Sequence, residues 1–358
     1  MDYEQNNDLS QQPSQPSGTG SGGTPPPPQY IYAAPPPPKK RSGWSIFWRI
    51  VFSMSIVANI VLFLMLAAVA VTLGTGRIDG FMHEVLQSGP SSAKIAVINI
   101  RGIIDDDQAR SLLDQMKMAE QDGNVKGVIL RVVSPGGTVS ASDQIYNEIT
   151  RFRKQTGRPV VAFMQGIAAS GGYYTSVACD KIVAEPTTIT GSIGVIMQHL
   201  VIEDLLKEKL GVEPFVIKSG PKKDWPSLFS KPTEEELEYL QEKIITPVYE
   251  RFVEIVDNGR PDLSLAEVKK LADGSIYPAQ EALDEKLIDD IAYIDGAIEE
   301  VKALAGITEA LVIQYKKMPS VLEMLMAESK TKNILNLDRS TIYELTTPEV
   351  MYLWRGNR

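Results

Sequence analysis

Hydrophobic and polar positions divide the chain into three textures. The first 41 residues show no apolar periodicity, and residues 50–73 are an apolar run without a charge. From Lys94 onward, short apolar runs alternate with segments whose apolar residues return at helical spacing. Residues 94–100 predict a strand closed by Gly102, and Ala109, Leu112, Leu113 and Met116 mark a helix after it. Residues 127–133 predict a second strand, ending at Ser134-Pro135-Gly136-Gly137, and Ala141, Ile145, Ile149 and Phe152 define the face of a second helix. Residues 159–164, 181–184 and 212–218 read as further strands, with a helix over 201–210. Strands alternating with helices predict an α/β domain with a largely parallel sheet.

The C-terminal third is more helical. Residues 233–257 place Leu237, Leu240, Ile244, Val248, Phe252 and Ile255 along one side of a long helix that Pro247 should kink. Thr233 with Glu236, and Ser264 with Glu267, have capping-box spacing. The last 40 or so residues read as an appendage ending in the apolar Met351-Tyr352-Leu353-Trp354. That end is expected to dock as a product-like peptide in a neighbouring groove, and its removal after Thr346 to raise peptide turnover.

Composition sharpens both ends of the chain. Ten of the 23 prolines lie in the first 41 residues, in runs at 25–28 and 35–38, so this tail cannot bury enough apolar surface to fold and favours polyproline II. The apolar run has 24 residues, enough to span a hydrocarbon core. Trp44 and Trp48 suit the interface, and Lys39, Lys40, Arg41 and Arg49 precede the span, which predicts an uncleaved signal anchor with a cytoplasmic N-terminus. A net charge of -9, from 36 basic and 45 acidic residues, argues against nucleic acid, whose binding needs clustered cations. Cys179 is the single cysteine and His83 and His199 are the two histidines, which leaves almost nothing for a metal site or a Ser-His-Asp triad. No cofactor or metal is expected.

Three segments combine glycine and hydroxyl residues at expected strand ends, where parallel α/β sheets bind ligands. Ser134-Pro135-Gly136-Gly137 is either a turn or a place where backbone amides face a ligand. In Ala168-Ala169-Ser170-Gly171-Gly172-Tyr173-Tyr174, Ser170 is either the N-cap of the next helix or a nucleophile at its start. Thr190-Gly191-Ser192-Ile193-Gly194-Val195 is either a packed loop or a source of hydroxyls that hold a base. A serine nucleophile needs a base. His199 is one candidate, and Lys218, Lys222 and Lys223 are others, since burial can lower a lysine pKa toward operating pH.

Together these three motifs, with Ala272-Asp273-Gly274, Tyr277 and Leu287-Ile288-Asp289 after them, resemble the serine peptidase family that holds signal peptide peptidase A and protease IV. The resemblance runs from about residue 94 to 296 and includes the anchor ahead of the domain. It implies a crotonase-like (Clp-protease-like) α/β fold of repeated ββα units, preceded by one transmembrane helix. The implied divisions are a tail (1–41), an anchor (42–74), a linker (75–92), a peptidase domain (93–316) and a C-terminal extension (317–358). Ser170 matches the family's nucleophile and Lys223 its general base. Ser192 would orient the lysine amine, and the amides of Gly137 and Gly171 would be the oxyanion donors. The implied substrates are cleaved signal peptides and other short unfolded peptides at the extracytoplasmic membrane surface. A homo-oligomer is expected, with the dyad formed within or between chains. The rival expectation is a non-catalytic scaffold that binds peptides or membrane partners, and an acyl-CoA enzyme on the same fold fits an extracytoplasmic location poorly.

Overall fold

A computed structural model describes residues 43–74, 81–317 and 349–356, so the expected proline-rich tail lies outside the described residues. The chain divides into two compact units, residues 1–77 and 78–358. In the first, helix α1 (Gly43–Gly74) follows from the unbroken apolar run. It is the one helix among the described residues long and apolar enough to cross a membrane, with a candidate span of Gly43–Ala68. Its polar Asn59 donates to the Ser55 carbonyl oxygen at 2.8 Å, which satisfies part of the amide within the helix itself.

The second unit is an α/β assembly around one mixed sheet. Its elements follow in chain order as β1 (Phe81–Gln87), β2 (Lys94–Ile104), α2 (Asp106–Gln121), β3 (Val125–Thr138), α3 (Val139–Thr156), β4 (Val160–Ala169), α4 (Gly171–Ser176), β5 (Lys181–Ala184), β6 (Ile189–Gly191) and β7 (Ile196–Gln198). Then come α5 (Glu234–Leu240), α6 (Thr246–Gly259), α7 (Leu265–Leu271), β8 (Ile276–Pro278), α8 (Ala279–Asp284), β9 (Asp290–Ile291), α9 (Ile294–Ala305), β10 (Leu311–Lys317) and β11 (Glu349–Leu353). The sheet runs β1-β10-β2-β3-β4-β5-β9, parallel from β10 to β9, with β1 antiparallel at its edge.

Alternation along β2 splits its side chains between two cores. Ala96, Ile98 and Ile100 pack with Leu112 and Met116 of α2 and with Ile145, Ile149 and Phe152 of α3. Ile95 and Val97 face the other way and pack with Ala297, Ile298 and Val301 of α9. The two-residue period of a strand, read against helices on both faces, thus gives three layers.

Strands β3 and β4 are longer than their sequence patterns predict, and this positions the site. The Ser134-Pro135-Gly136-Gly137 segment, expected to follow the end of the strand, is the last part of β3, paired on one side with Ile103 and Ile104 of β2. A side chain at Gly137 would stand 2.0 Å from the Ile104 carbonyl oxygen, so only glycine lets these strands approach. β4 likewise continues through Gly166 to Ala169, where its end pairs with β6.

Other expectations need correction. Residues 212–218 are not a strand: Pro214 lacks a donor for a ladder, and the segment is largely exposed. The helix expected over 201–210 shrinks to a π-helical turn, Leu205–Lys209, with a short lead-in. Within the expected linker, Phe81–Gln87 forms β1, because β10 offers it a free sheet edge. The kink expected at Pro247 appears as a π-helical turn, Gln241–Ile245, between α5 and α6. Proline has no amide hydrogen and crowds the carbonyl four residues back, and a widened turn relieves both. The apolar C-terminal end, expected to dock in a neighbouring groove, forms β11 between β3 and β7, antiparallel to both.

Candidate active site

Ser170 occupies the joint between β4 and α4. Its backbone has φ 54° and ψ −114°, a region that residues with a side chain rarely adopt. Both ends of the joint are tied: the Ser170 amide donates to the Gly191 carbonyl at 2.7 Å, and its carbonyl accepts from the Tyr174 amide at 2.8 Å. The side chain, buried within the turn, makes no capping hydrogen bond to α4. The ordinary reason for a serine at a helix start therefore does not account for this one. A strained serine at a strand-to-helix turn is the arrangement of a nucleophile elbow.

Three glycines pack backbone to backbone beside it. A β-carbon on Gly136, whose φ is +104°, would lie 2.7 Å from the Gly171 amide nitrogen. One on Gly171 would lie 3.1 Å from the Gly137 amide nitrogen and 2.6 Å from Ser142 Oγ. The Gly136 amide donates to Ser134 Oγ at 3.0 Å, and that hydroxyl donates to the Gly102 carbonyl at 2.6 Å, which braces the strand end. Two glycine amides, 137 and 171, are thus brought together next to Ser170. Paired backbone donors are what a developing oxyanion requires.

Ser192 lines the same cavity as Ser170, a space of about 450 Å³ whose walls include Tyr249, Asp273, Gly274 and Trp354. Its backbone also has a positive φ, 49°, and its amide donates to the Ser275 carbonyl at 2.7 Å. Hydrogen bonds from Ser275 hold the Asp273 carboxyl below its usual range. Burial, and then the charge of Asp273, push the Tyr249 phenol up.

The candidate bases stand apart from this cavity. Lys223 lies on an exposed turn and is not among the cavity walls. Lys222 is engaged elsewhere, with its ammonium 4.3 Å from the Tyr239 ring centre, 4.8 Å from that of Trp225 and 3.3 Å from Glu235. Lys218 pairs with Asp224 at 2.8 Å. His199 lines a separate, mostly apolar pocket with Val201, Pro226 and Leu237. One chain therefore brings together Ser170, Ser192, Gly137 and Gly171, and leaves Lys223 on the surface.

The sequence pattern of peptidase family S49 matches residues 152–308, and that of the Clp protease family matches residues 91–189. A chain named as signal peptide peptidase SppA in Enterococcus faecium is 40% identical over 245 residues, covering 65% of this chain and 70% of that one. The chain belongs to the S49 peptidases of the signal peptide peptidase A and protease IV type. Protease 4 of Haemophilus influenzae is 35% identical over 228 residues, 62% of this chain and 36% of that one. The chloroplastic serine protease SPPA of Arabidopsis thaliana is 31% identical over 199 residues, 56% of this chain and 29% of that one. The mixed sheet with its crossing helices is a Clp-protease-like α/β fold, and membership of the family makes the chain a serine peptidase.

Several motif residues that carried the resemblance support the site without entering it. The Tyr173 hydroxyl donates to the Leu287 carbonyl at 2.9 Å and the Tyr277 hydroxyl to the Leu271 carbonyl at 3.2 Å. Asp289 accepts from the Ile182 amide at 2.7 Å and from Arg260 at 2.9 Å, which ties the segment just before β9 to β5 and to the end of α6. Sequence reasoning missed Ser142, whose buried hydroxyl has no hydrogen-bond partner among the described residues and lies against Gly171. It also missed Tyr352 as a specific anchor, since an isolated aromatic in an apolar tail carries no local signal.

Proposed function

We propose that this chain is a membrane-anchored serine endopeptidase that degrades cleaved signal peptides and other short unfolded peptides at the extracytoplasmic membrane surface, with Ser170 as nucleophile and Lys223 as general base. The observation that carries it is the strained, buried Ser170 turn packed against the Gly136, Gly137 and Gly171 backbone. Neutral Lys223 takes the Ser170 hydroxyl proton as Oγ attacks the substrate carbonyl carbon. The oxyanion accepts hydrogen bonds from the amides of Gly137 and Gly171. Lys223 then protonates the leaving amine, and water, deprotonated by the same lysine, hydrolyses the acyl-enzyme. Ser192, in the same cavity as Ser170, receives and orients the lysine amine.

Lys223 reaches Ser170 from a neighbouring copy in this reading. Its exposed position supports that arrangement, as do the apolar side chains that one chain leaves uncovered, among them Phe215 at 88% and Ile217 at 89% exposure. Lys222 is already held by two rings and Glu235, which favours Lys223 as the free amine. In the proposed arrangement the tail is cytoplasmic, α1 is the anchor, and the domain from about residue 93 lies outside; the lysine and arginine cluster before the apolar run supports this orientation.

The test is turnover of a fluorogenic peptide with small and apolar residues by the detergent-solubilised chain and by its Ser170→Ala and Lys223→Ala forms. Loss of turnover in both, with the assembly intact, supports the dyad. A parent chain that neither turns over peptide nor takes a covalent serine-reactive probe would point instead to a peptide-binding scaffold.

A further inference from the structure

Ser142 carries the one fully buried hydroxyl among the described residues that has no hydrogen-bond partner. A serine inside a helix ordinarily turns to water or returns its hydroxyl to a carbonyl one turn back. Thr175 and Ser176 of α4 do the latter, donating to the Gly172 carbonyl at 3.0 and 2.8 Å. Ser142 does neither, although its side chain has no exposed surface. Burying a donor without a partner costs stability, so such a group is explained where a bound species uses it.

The hydroxyl stands instead against the proposed oxyanion site. A β-carbon on Gly171 would lie 2.6 Å from Ser142 Oγ and 3.1 Å from the Gly137 amide nitrogen, so hydroxyl and amide border one small space. The chain fixes both. Strand β3 ends at Thr138 and α3 begins at Val139, with no loop between them. The Thr138 hydroxyl accepts from the Ala141 amide at 3.3 Å, which caps the helix at that joint. One rigid strand-to-helix junction therefore sets the Gly137 amide on one side and Ser142 on the other, and both meet Gly171.

We propose that the Ser142 hydroxyl is a third oxyanion donor, acting with the amides of Gly137 and Gly171 on the oxygen that becomes charged when Ser170 attacks. The inference rests on the peptidase reading and deepens it. Ser142 keeps its proton throughout and donates a hydrogen bond to the substrate oxygen. A planar carbonyl is a weaker acceptor than the tetrahedral oxyanion, so the contact strengthens toward the transition state and shows in kcat rather than in KM. Side-chain hydroxyls can serve this purpose beside backbone amides.

The test uses the detergent-solubilised full chain and its Ser142→Ala and Ser142→Cys forms. In Ser142→Ala, kcat on a fluorogenic peptide of small and apolar residues is expected to fall about 10²-fold, with KM nearly unchanged. The thermal midpoint is expected to hold or rise, because the hydroxyl removed had no partner. A peptide boronic acid, whose adduct with Ser170 places a tetrahedral oxygen at the site, is expected to bind Ser142→Ala more weakly by a similar factor. In the Ser170→Ala background, the uncleaved peptide is expected to bind equally with serine or alanine at 142. Ser142→Cys, a weaker donor of similar size, is expected to give an intermediate kcat. A kcat that follows the thermal midpoint through the series would assign Ser142 to packing and overturn the proposal. So would unchanged boronate affinity in Ser142→Ala. A parent that turns over no peptide and binds no boronate would sink the peptidase reading and this inference with it. An active parent whose Ser142→Ala form keeps its kcat would sink this inference alone.

Discussion

A β-carbon on Gly171 would lie 3.1 Å from the amide nitrogen of Gly137. The two amides proposed to hold the oxyanion are therefore neighbours because neither residue has a side chain. The same added atom would stand 2.6 Å from Ser142 Oγ, so Gly171→Ala has two separable effects. Crowding against Ser142 should cost about 1–3 kcal/mol of stability. Displacement of the Gly171 amide should lower kcat by about 10²–10³-fold, the usual cost of one lost oxyanion donor. Adding Ser142→Ala removes the hydroxyl and should restore much of the thermal midpoint while leaving kcat low. Recovery of both together would assign Gly171 a packing role alone.

The exposed position of Lys223 makes a subunit-mixing experiment decisive for the shared dyad. Ser170→Ala chains keep the proposed base and Lys223→Ala chains keep the proposed nucleophile. If the pair forms between copies, co-assembled variants should recover activity, at about a quarter of parental sites for random mixing. If the pair forms within one chain, the mixture stays as inactive as its components. The readout is turnover after co-refolding or co-expression, compared with the two variants mixed without exchange.

Much of this architecture is legible in the sequence, because periodicity reports which faces are buried. The α3 face (Ala141, Ile145, Ile149 and Phe152) is buried as predicted, and so are Ala109, Leu112 and Met116 of α2. Where burial comes from distant partners, the pattern misleads. Leu237 continues an apolar stripe yet is 54% exposed in the single chain, whereas Phe252 and Ile255 on the same stripe are buried. The β3 ending was misread because Pro135 and two glycines signal a turn, while the partners that keep the segment extended, Ile104 and Tyr352, lie far along the chain. Ser170 stood out through its small neighbours. Its backbone strain, and the missing capping bond that separates it from an N-cap, are visible only in three dimensions.

Asp289 gives the fold a specific acid weakness. Burial raises its pKa, but the Arg260 hydrogen bond and charge, the Ile182 amide and the Lys181 charge outweigh that and hold the carboxyl below its ordinary value. A carboxylate with a depressed native pKa contributes stability above its unfolded value of about 3.9, and loses that contribution as pH falls through the native value. Urea midpoints should accordingly fall below about pH 4 in the parent. Asp289→Asn should cost about 2 kcal/mol at neutral pH, less than a fully buried broken pair because its side chain keeps 20% of its exposure. The variant's midpoint should then change less with acid than the parent's. Parallel acid limbs would remove Asp289 from this role.

Lys222 and Lys223 differ by one position in sequence and by their surroundings in space, and that difference predicts different variant phenotypes. The Lys222 ammonium sits over Tyr239 and Trp225 and beside Glu235, so its contacts belong to the turn that presents Lys223. Cation–π contact at a partly exposed site contributes about 0.5–1 kcal/mol. Lys222→Ala should therefore loosen the turn and lower kcat by a modest factor, about fivefold or less for that energy. Lys222→Arg preserves a cation over the rings and should restore most of the activity. Lys223→Ala removes the proposed proton acceptor, and Lys223→Arg should not rescue it, because a guanidinium stays charged and cannot take the serine proton. Pre-steady-state acylation rates for the four variants read this directly. Rescue by arginine at position 223 but not at 222 would move the base by one residue.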